Sequence, residues 1–227
     1  MRLKIISILN QYYFLHWGLW IFHRLIGKNR FKNKKKNTFC SNNSNIYKNY
    51  FEFGKGENNQ IIIDKNNTIT NSKMLFKGSN NKVYIGENGF VNGLELILEG
   101  DNNTVIIGEE VFILDDTRIY IIDGSTLKLG RHCMFSDRIE IRTSDHHSII
   151  DIATGKRINY EEDIIIGDDV WLGSGVTILK GSEIANGCIV GAKSLITDKY
   201  KNENTIIVGS PGREIKSNVE WRMDRIK

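Results

Sequence analysis

The sequence predicts an all-β protein built as a parallel β-helix, and two internal repeats carry this prediction. Between residues 58 and 130 a seven-residue pattern recurs every 22 positions, as in Asn58–Asp64 and Asn80–Gly86. After Asp163 the period shortens to six, and aliphatic residues stand at Ile166, Leu172, Ile178, Ile184, Val190 and Ile196. Three such hexads make one triangular coil, whose aliphatic side chains point inward and whose strands stack on the next coil at roughly 4.8 Å.

Each 22-residue unit consists of short runs of alternating apolar residues that Asn and Gly turns separate, which is typical of strands. The spacing predicts about six or seven coils. It places Ile63, Ile85, Ile107 and Leu129 in one interior ladder. Ile166 and Ile184 are expected in another ladder, with Leu172 and Val190 beside it.

The three cysteines give no disulfide framework, and this favours a reducing compartment. Cys133 and Cys188 occupy small-residue positions of the hexads, so we expect them to pack in the interior rather than to react. Cys40 lies in a segment rich in Asn and Ser and has no evident partner.

Three segments follow from these patterns. Residues 1–55 are expected to form an aromatic, basic helical segment with a link, and residues 56–216 the β-helix, from which a loop over 142–163 protrudes. The 22-residue frame stops near Ile141 and the hexads begin near Ile166, so the polar residues between them must leave the stack of coils. Residues 217–227 are expected to form a short helix, because Ser217 and Glu220 have the spacing of a capping box.

The positive charge is concentrated at the N-terminal end. Residues 1–51 contain ten Lys or Arg and no Asp or Glu, whereas the remainder contains 21 basic and 27 acidic residues. The aromatic stretch over 4–27 is too short and too interrupted to span a bilayer, and it lacks the cleavage site of a signal peptide. An amphipathic helix followed by lysines predicts peripheral contact with anionic lipid at the inner face of the cytoplasmic membrane. The alternative is a helix that packs on the body of a cytoplasmic protein; nucleic acid is not expected as a partner.

Three motifs carry a resemblance to a known family: Ser144–Asp151, Ile165–Gly173 and Val208–Arg213. In this order they resemble the hexapeptide-repeat acyltransferases, and most of all the bacterial O-acetyltransferases that modify capsular and other surface polysaccharides. The resemblance implies a left-handed β-helix and a homotrimer. It also implies direct transfer of an acetyl group from acetyl-coenzyme A to a saccharide hydroxyl. No metal is expected, since a thioester is already activated.

His147 is the candidate general base, because neutral imidazole suits removal of a hydroxyl proton near neutral pH. The family motif reads Asp, any residue, His, which puts His147 at the catalytic place and His146 at the variable place. Asp145 or a backbone carbonyl would orient the imidazole. Trp171, 24 residues further on, corresponds to a tryptophan that borders the active site in the relatives. A tryptophan buried at a subunit contact is the alternative for Trp171.

The resemblance also implies a track for the cofactor. Backbone groups near Gly173, Gly191 and Ala192 would bind coenzyme A, because small residues let the pantetheine arm approach. Pro211 would border the adenine, and Arg213 would supply positive charge to a phosphate. Lys199 and Lys216 are weaker candidates for the same task.

Other functions are the alternatives to this one. The acceptor could be a small sugar, a nucleotide sugar or an antibiotic instead of a polymer. A non-catalytic scaffold or sugar-binding module would not need the loop histidines or the Gly-x-Pro-x-basic segment. A zinc carbonic anhydrase on the same prism would need His132, His146 and His147 to converge on one metal, although adjacent residues of an extended chain point to opposite sides.

Overall fold

The computed structural model describes residues 27–224 and residue 226. Its 25 strands form three sheets that make the faces of a triangular prism, and residues 27–224 contain no α-helix. The predicted left-handed parallel β-helix is thereby confirmed. The helix predicted from the first aromatic stretch falls outside the described residues. Within the described part of the chain, no helix is long and apolar enough to cross a membrane.

The strands, in chain order, are β1 (Arg30–Lys32), β2 (Thr38–Ser41), β3 (Asn45–Tyr47), β4 (Tyr50–Phe53), β5 (Gln60–Ile63), β6 (Thr68–Thr70), β7 (Lys73–Lys77), β8 (Lys82–Ile85), β9 (Phe90–Asn92), β10 (Leu94–Glu99), β11 (Thr104–Ile107), β12 (Phe112–Asp115), β13 (Thr117–Ile122), β14 (Thr126–Leu129), β15 (Met134–Asp137), β16 (Glu140–Arg142), β17 (Ile164–Ile166), β18 (Trp171–Leu172), β19 (Thr177–Leu179), β20 (Glu183–Ile184), β21 (Ile189–Val190), β22 (Leu195–Ile196), β23 (Lys199–Tyr200), β24 (Ile206–Gly209) and β25 (Gly212–Lys216).

Successive strands pass from sheet A to sheet B to sheet C and back again. Sheet A holds eight strands (β1, β4, β7, β10, β13, β16, β19, β22), and sheet B the eight that follow them (β2, β5, β8, β11, β14, β17, β20, β23). Sheet C holds nine, ending in β24 and the antiparallel β25. Each face therefore stacks eight coils in parallel, one or two more than the repeat alone predicted.

The interior is a set of aliphatic ladders. Ile63, Ile85, Ile107 and Leu129 lie in register on sheet B, as predicted. The expectation of a separate ladder for Ile166 and Ile184 is wrong, because Leu129 pairs with Ile166 and Ile166 with Ile184, which extends the same ladder. The long insertion before β17 thus loops out without shifting the register of the coils.

The Asn-Asn pairs of the 22-residue repeat form a second, polar ladder. The first Asn of each pair takes a left-handed backbone, with φ near 60° at Asn58, Asn80 and Asn102, which turns the chain into the next strand. The second Asn is buried and donates its amide to the preceding one: Asn81 Nδ2 lies 3.0 Å from Asn59 Oδ1, and Asn103 Nδ2 lies 2.8 Å from Asn81 Oδ1. Each buried amide therefore finds partners in the neighbouring coils.

The coils begin before residue 56, where the repeat first became recognisable. β1 pairs with β4 and β2 with β5, so the chain joins the solenoid from Arg30 onward. The basic residues of this end are partly neutralised by the next coil. Lys32 Nζ lies 2.7 Å from Glu52 Oε1, and Lys36 pairs with Glu57. Lys34 lies over the Phe31 ring, 5.4 Å from its centroid.

Residues 217–224 are irregular and contain no helix, so the predicted C-terminal helix is wrong for this segment. Tertiary contacts replace the capping box. The Val219 amide donates to Asn204 O at 3.1 Å, and Trp221 Nε1 donates to Asp169 O at 2.6 Å. These bonds hold the segment against the coils, whereas in a helix the amides would make hydrogen bonds within the segment.

The expected packing of the cysteines agrees with the structure. Cys133 and Cys188 are buried, and burial raises the pKa of the Cys133 thiol to about 12. Such a thiol is not ionised near neutral pH and is a poor nucleophile. Cys40 is exposed.

Candidate active site

The predicted protruding loop is an arm, residues 143–163, at the corner between sheets A and B. It leaves sheet A after β16 and returns to sheet B at β17, and at its base the Glu162 amide donates to Thr143 O at 3.1 Å. Its outer part is a hairpin in which the Ile158 amide donates to Ile149 O at 2.9 Å. The two histidines of the candidate site lie near the base, where the arm is attached to the coils.

Asn159 holds the histidine segment in place. Its Nδ2 donates to the backbone oxygen of His147 and to Asp145 Oδ2, both at 2.8 Å. Its Oδ1 accepts the Ile149 amide at 2.6 Å. The Asn159 side chain is buried, so one amide group cross-links three points of the arm away from solvent.

Asp145 connects the arm to the next coil of the stack. Lys180, which follows β19, donates its Nζ to Asp145 Oδ2 at 2.6 Å. The hydrogen bond from Lys180, followed by that from Asn159, lowers the pKa of Asp145. The carboxylate thus binds Lys180 and Asn159, and among the described residues it makes no hydrogen bond to the His147 ring.

The two adjacent histidines have different surroundings. His146 takes a left-handed backbone, φ 63°, and its ring meets Tyr120 edge-on, with centroids 6.1 Å apart. Arg142 covers the Tyr120 ring, its Cζ 4.2 Å from the centroid. The His147 amide donates to Asp145 O at 2.8 Å, while its exposed imidazole has no hydrogen-bond partner among the described residues. Both rings are exposed and neither has a hydrogen-bond partner among the described residues, but the His146 ring packs against Tyr120, so the His147 ring is the less constrained of the two.

Trp171 lies elsewhere on the prism. It begins β18 on sheet C, points outward and is 37% exposed. Its Nε1 donates to Ser136 Oγ at 3.3 Å. Since His147 stands at the corner between sheets A and B, one chain alone does not bring these two candidates together.

The small residues of the predicted cofactor track do come together, at the corner between sheets C and A. Gly173 follows β18, and Gly191 and Ala192 follow β21, one coil further on. The Gly173 amide donates to Val190 O at 2.8 Å. A Cβ on Gly173 would lie 2.8 Å from the Ala192 nitrogen, so only glycine fits there. Bare backbone at this corner suits a long, thin ligand such as a pantetheine arm.

Of the remaining candidates for binding coenzyme A, two lie near this corner and two do not. Pro211, after a cis peptide bond, lies in the turn between β24 and β25, and Arg213 is opposite Val208, whose side chain covers Gly191. Pro211 and Arg213 thus lie near the glycines. Lys199 is on sheet B, and Lys216 is at the far end of β25, so neither lies at this corner.

Several residues of the site were not predicted from the sequence. Asn159 and Lys180 organise the arm, but Asn159 belongs to no repeat or recognised motif, and Lys180 is at a position of the hexad repeat that the pattern does not single out. Glu161 accepts from Arg157 at 2.6 Å and from Ser144 at 3.1 Å. Burial opposes ionisation of Glu161, yet these hydrogen bonds and that of its own amide lower its pKa. No sequence signal distinguished these residues, because polar side chains are also usual in a solvated loop.

The structure separates His132 from the other two histidines that a zinc carbonic anhydrase site would need. Its Nδ1 lies 2.6 Å from Asp169 Oδ1, and its ring stacks on Trp221 with centroids 5.5 Å apart. It stands at the corner between sheets B and C, whereas His146 and His147 stand between A and B. No group of three metal-binding side chains lies together in the described residues.

Comparison with known proteins assigns the last coils to a family. Residues 163–198 match the bacterial transferase hexapeptide model of six repeats. A segment of 95 residues is 33% identical to the polysialic acid O-acetyltransferase of Neisseria meningitidis. This match covers 42% of the chain and 44% of that protein, so the chain spans less than half the length of the curated relative.

Solved structures extend the similarity over nearly the whole chain. The polySia-specific acetyltransferase NeuO superposes with a TM-score of 0.77 at 30% identity, covering 88% of this chain and 90% of that one. The polysialic acid O-acetyltransferase OatWY superposes with a TM-score of 0.60 at 27% identity, covering 84% and 92%. With its hexapeptide repeats and this coverage, the chain belongs to the hexapeptide-repeat acetyltransferase family.

Proposed function

We propose that the protein is an O-acetyltransferase that moves an acetyl group from acetyl-coenzyme A to a hydroxyl of a bacterial surface polysaccharide or of its sugar building block. The observation that carries the proposal is the state of His147. Its backbone is held by Asn159 and Asp145, while its imidazole is exposed and without a partner in the described residues. Such a group is pre-positioned to accept a proton from a bound hydroxyl.

The chemistry then follows in one sequence. The imidazole of His147 takes the proton as the hydroxyl oxygen attacks the thioester carbonyl, and a C–O bond forms. The tetrahedral oxyanion needs hydrogen-bond donors, which backbone amides or the Trp171 indole can supply. Breaking of the C–S bond releases coenzyme A, whose thiolate receives the proton from His147, and the acetyl ester leaves.

A complete site requires a second copy of the chain, and we propose a homotrimer. The candidate groups of one prism lie at separate places: His147 between sheets A and B, Trp171 on sheet C and the glycines between sheets C and A. The arm also exposes large apolar side chains that no other described residue covers: Ile149, Ile150, Ile152, Ile158 and Tyr160. An exposed apolar arm is typical of a subunit contact. It would bring His147 of one subunit against the coils of the next.

The histidine pair tests the base. We expect His147→Ala to lower kcat by at least about 10²-fold, the usual contribution of a general base, with little change in the Kd for coenzyme A. His146→Ala is the matched control and should cost far less, since its ring packs on Tyr120. Steady-state release of coenzyme A measures both. Normal rates in His147→Ala would exclude the proposed mechanism.

Mixed trimers test the shared site. Trimers of His147→Ala alone and of Trp171→Ala alone should both be impaired. In a mixed trimer, one of the three junctions pairs an intact His147 with an intact Trp171. Purified mixed trimers should therefore recover about a third of the wild-type sites. Co-expression of two differently tagged chains, followed by tandem purification, gives the mixed species. Failure to regain activity would place the whole site in one chain.

The acceptor class is the second part of the proposal. Similarity to polysialic acid O-acetyltransferases supports a polymeric saccharide, and a small sugar, nucleotide sugar or antibiotic is the alternative. Release of coenzyme A with polysialic acid, a nucleotide sugar, a galactoside and chloramphenicol as acceptors separates these cases. A kcat/KM for chloramphenicol above that of every saccharide would reject the polysaccharide.

We also propose a cytoplasmic location with peripheral attachment to the inner face of the membrane. The excess of ten basic residues over residues 1–51 supports it, because anionic lipid attracts each nearby Lys or Arg by about 1 kcal/mol. Lys34→Glu with Lys35→Glu should weaken binding to phosphatidylserine vesicles in a flotation assay. The exposed sheet B pair Lys82→Glu with Lys128→Glu makes the same charge change and should not. Equal effects of the two pairs would contradict a specific basic segment.

A further inference from the structure

The C-terminal strap, residues 217–224, returns to the face of the prism that carries Trp171. It is held at two coils: the Val219 amide donates to Asn204 O at 3.1 Å, and Trp221 Nε1 donates to Asp169 O at 2.6 Å. Asn204 lies shortly before β24 and Asp169 shortly before β18, so the strap crosses successive coils on sheet C. These bonds fix the position of the Trp221 indole.

Trp221 joins two other rings into one aromatic surface, defined as His132, Trp171 and Trp221. The Trp221 ring stacks on His132 at 5.5 Å and 13°, and meets Trp171 at 6.3 Å and 44°. Asp169 positions both His132 and Trp221. Its Oδ1 lies 2.6 Å from His132 Nδ1, and its backbone oxygen accepts a hydrogen bond from the Trp221 indole. None of the three rings is buried, so this surface still faces solvent.

The surface has the chemistry that a sugar ring requires. A pyranose has a face of C–H bonds, which packs on an aromatic ring, and an edge of hydroxyls, which needs hydrogen-bond partners. Polar groups stand at the edge of these rings. The Ser136 hydroxyl accepts from Trp171 and keeps its own proton to donate, and the exposed Asp169 carboxylate is an acceptor. Flat apolar rings with hydroxyl-binding groups at their edge match a saccharide better than a purely apolar ligand.

We propose that Trp221 is a saccharide-binding residue, which extends the acceptor site from Trp171 onto the C-terminal strap. This inference rests on the proposed function, in which Trp171 borders the transfer centre. It assigns Trp221 to the acceptor and not to acetyl-coenzyme A, whose track lies at the other edge of sheet C, beside Gly173 and Gly191.

Binding without turnover tests the assignment. A glycan array of polysialic acid fragments, neutral capsular oligosaccharides and galactosides, probed with the wild-type protein, selects the saccharide for isothermal titration calorimetry. Trp221→Ala should raise its Kd about tenfold, near what one aromatic contact supplies. Trp221→Phe keeps a ring and should stay within about threefold. Met223→Ala, an exposed side chain of the same strap, is the control and should leave the Kd unchanged.

The outcomes are distinct. An unchanged Kd in Trp221→Ala would overturn the inference, with or without a lower Tm, because the indole would then serve packing alone. An equal rise in the KM for acetyl-coenzyme A would also overturn it, since the effect would not be specific to the acceptor. A wild-type protein that binds none of the glycans below millimolar concentration would overturn it as well. A protein that binds saccharide through Trp221 but releases no coenzyme A would instead refute the proposed function.

Discussion

Replacing Asn159 by Ala should detach the histidine segment of the arm while leaving the coils intact. The side chain makes a hydrogen bond to the His147 oxygen, one from the Ile149 amide and one to the Asp145 carboxylate. The two neutral bonds are worth about 1 kcal/mol each and the charged one about 2, so the closed arm loses about 4 kcal/mol. An opening equilibrium shifted by that amount changes by roughly a thousandfold.

Amide exchange and kinetics report on the two consequences separately. The Ile149 amide, bonded to Asn159 in the wild type, should exchange at least about 100-fold faster in Asn159→Ala. Displacement of His147, the proposed base, by about 1 Å should lower kcat by about 10²-fold. The Tm should change little, because the arm lies outside the stack of coils.

Thr154→Ala is the matched control at the tip of the arm. Thr154 is exposed, and its hydroxyl bonds only to Asp151 and the Lys156 amide. This variant should keep both the kcat and the slow exchange of Ile149. If Asn159→Ala also kept them, the arm would not depend on Asn159 and the account of how His147 is held would be wrong.

Three further predictions follow from other parts of the molecule. Asn81→Ala should lower the free energy of unfolding by about 2–4 kcal/mol in urea titrations, because it removes side-chain hydrogen bonds to both neighbouring coils; a loss below 0.5 kcal/mol would argue against the amide ladder. A thiol reagent should label Cys40 quickly in the native protein and Cys133 only after unfolding, given the exposure of the first and the raised pKa of the second; rapid native labelling of both would contradict the burial. The pKa of Asp145 is lowered, so its bond with Lys180 stabilises the closed arm fully above the ordinary carboxyl pKa of about 3.9 and is lost as the pH falls through the lowered value. Amide hydrogen exchange at the base of the arm, corrected for its intrinsic rate, should therefore be constant from pH 7 to pH 5 and rise only below about pH 4.

The sequence predicted the coils where the repeat is regular and missed them where it is not. β2 pairs with β5 at the same 22-residue step as later strands, but Cys40 and Ser41 stand opposite Ile62 and Ile63. Without aliphatic residues at those places the pattern could not be recognised, although the backbone still stacks. A parallel ladder needs backbone hydrogen bonds first and matching side chains second.

The C-terminal strap shows the opposite failure, in which a local signal was present but did not decide the structure. Ser217 and Glu220 favour a helix through contacts a few residues apart. A short isolated helix is marginal in water, whereas the contacts of Trp221 with Asp169, His132 and Trp171 all come from distant parts of the chain. Tertiary contacts of this kind leave no periodicity, so the strap and its indole could be found only in the structure.

The geometry of the solenoid explains why the candidate site could be predicted in parts but not assembled. Each residue of a β-helix contacts its own coil and the two beside it, and side chains that point outward from different faces of the prism do not reach one another. His147, Trp171 and Gly173 are close together in the sequence, yet strands β17 and β18 place them at different faces and corners of the prism. The arm is the only described segment that leaves the stack by more than a turn, and it carries the free imidazole. A second prism beside the first is therefore the simplest way to bring base, indole and bare backbone to one substrate. For this reason the shared site that we propose follows from the topology of the chain as much as from the chemistry of its residues.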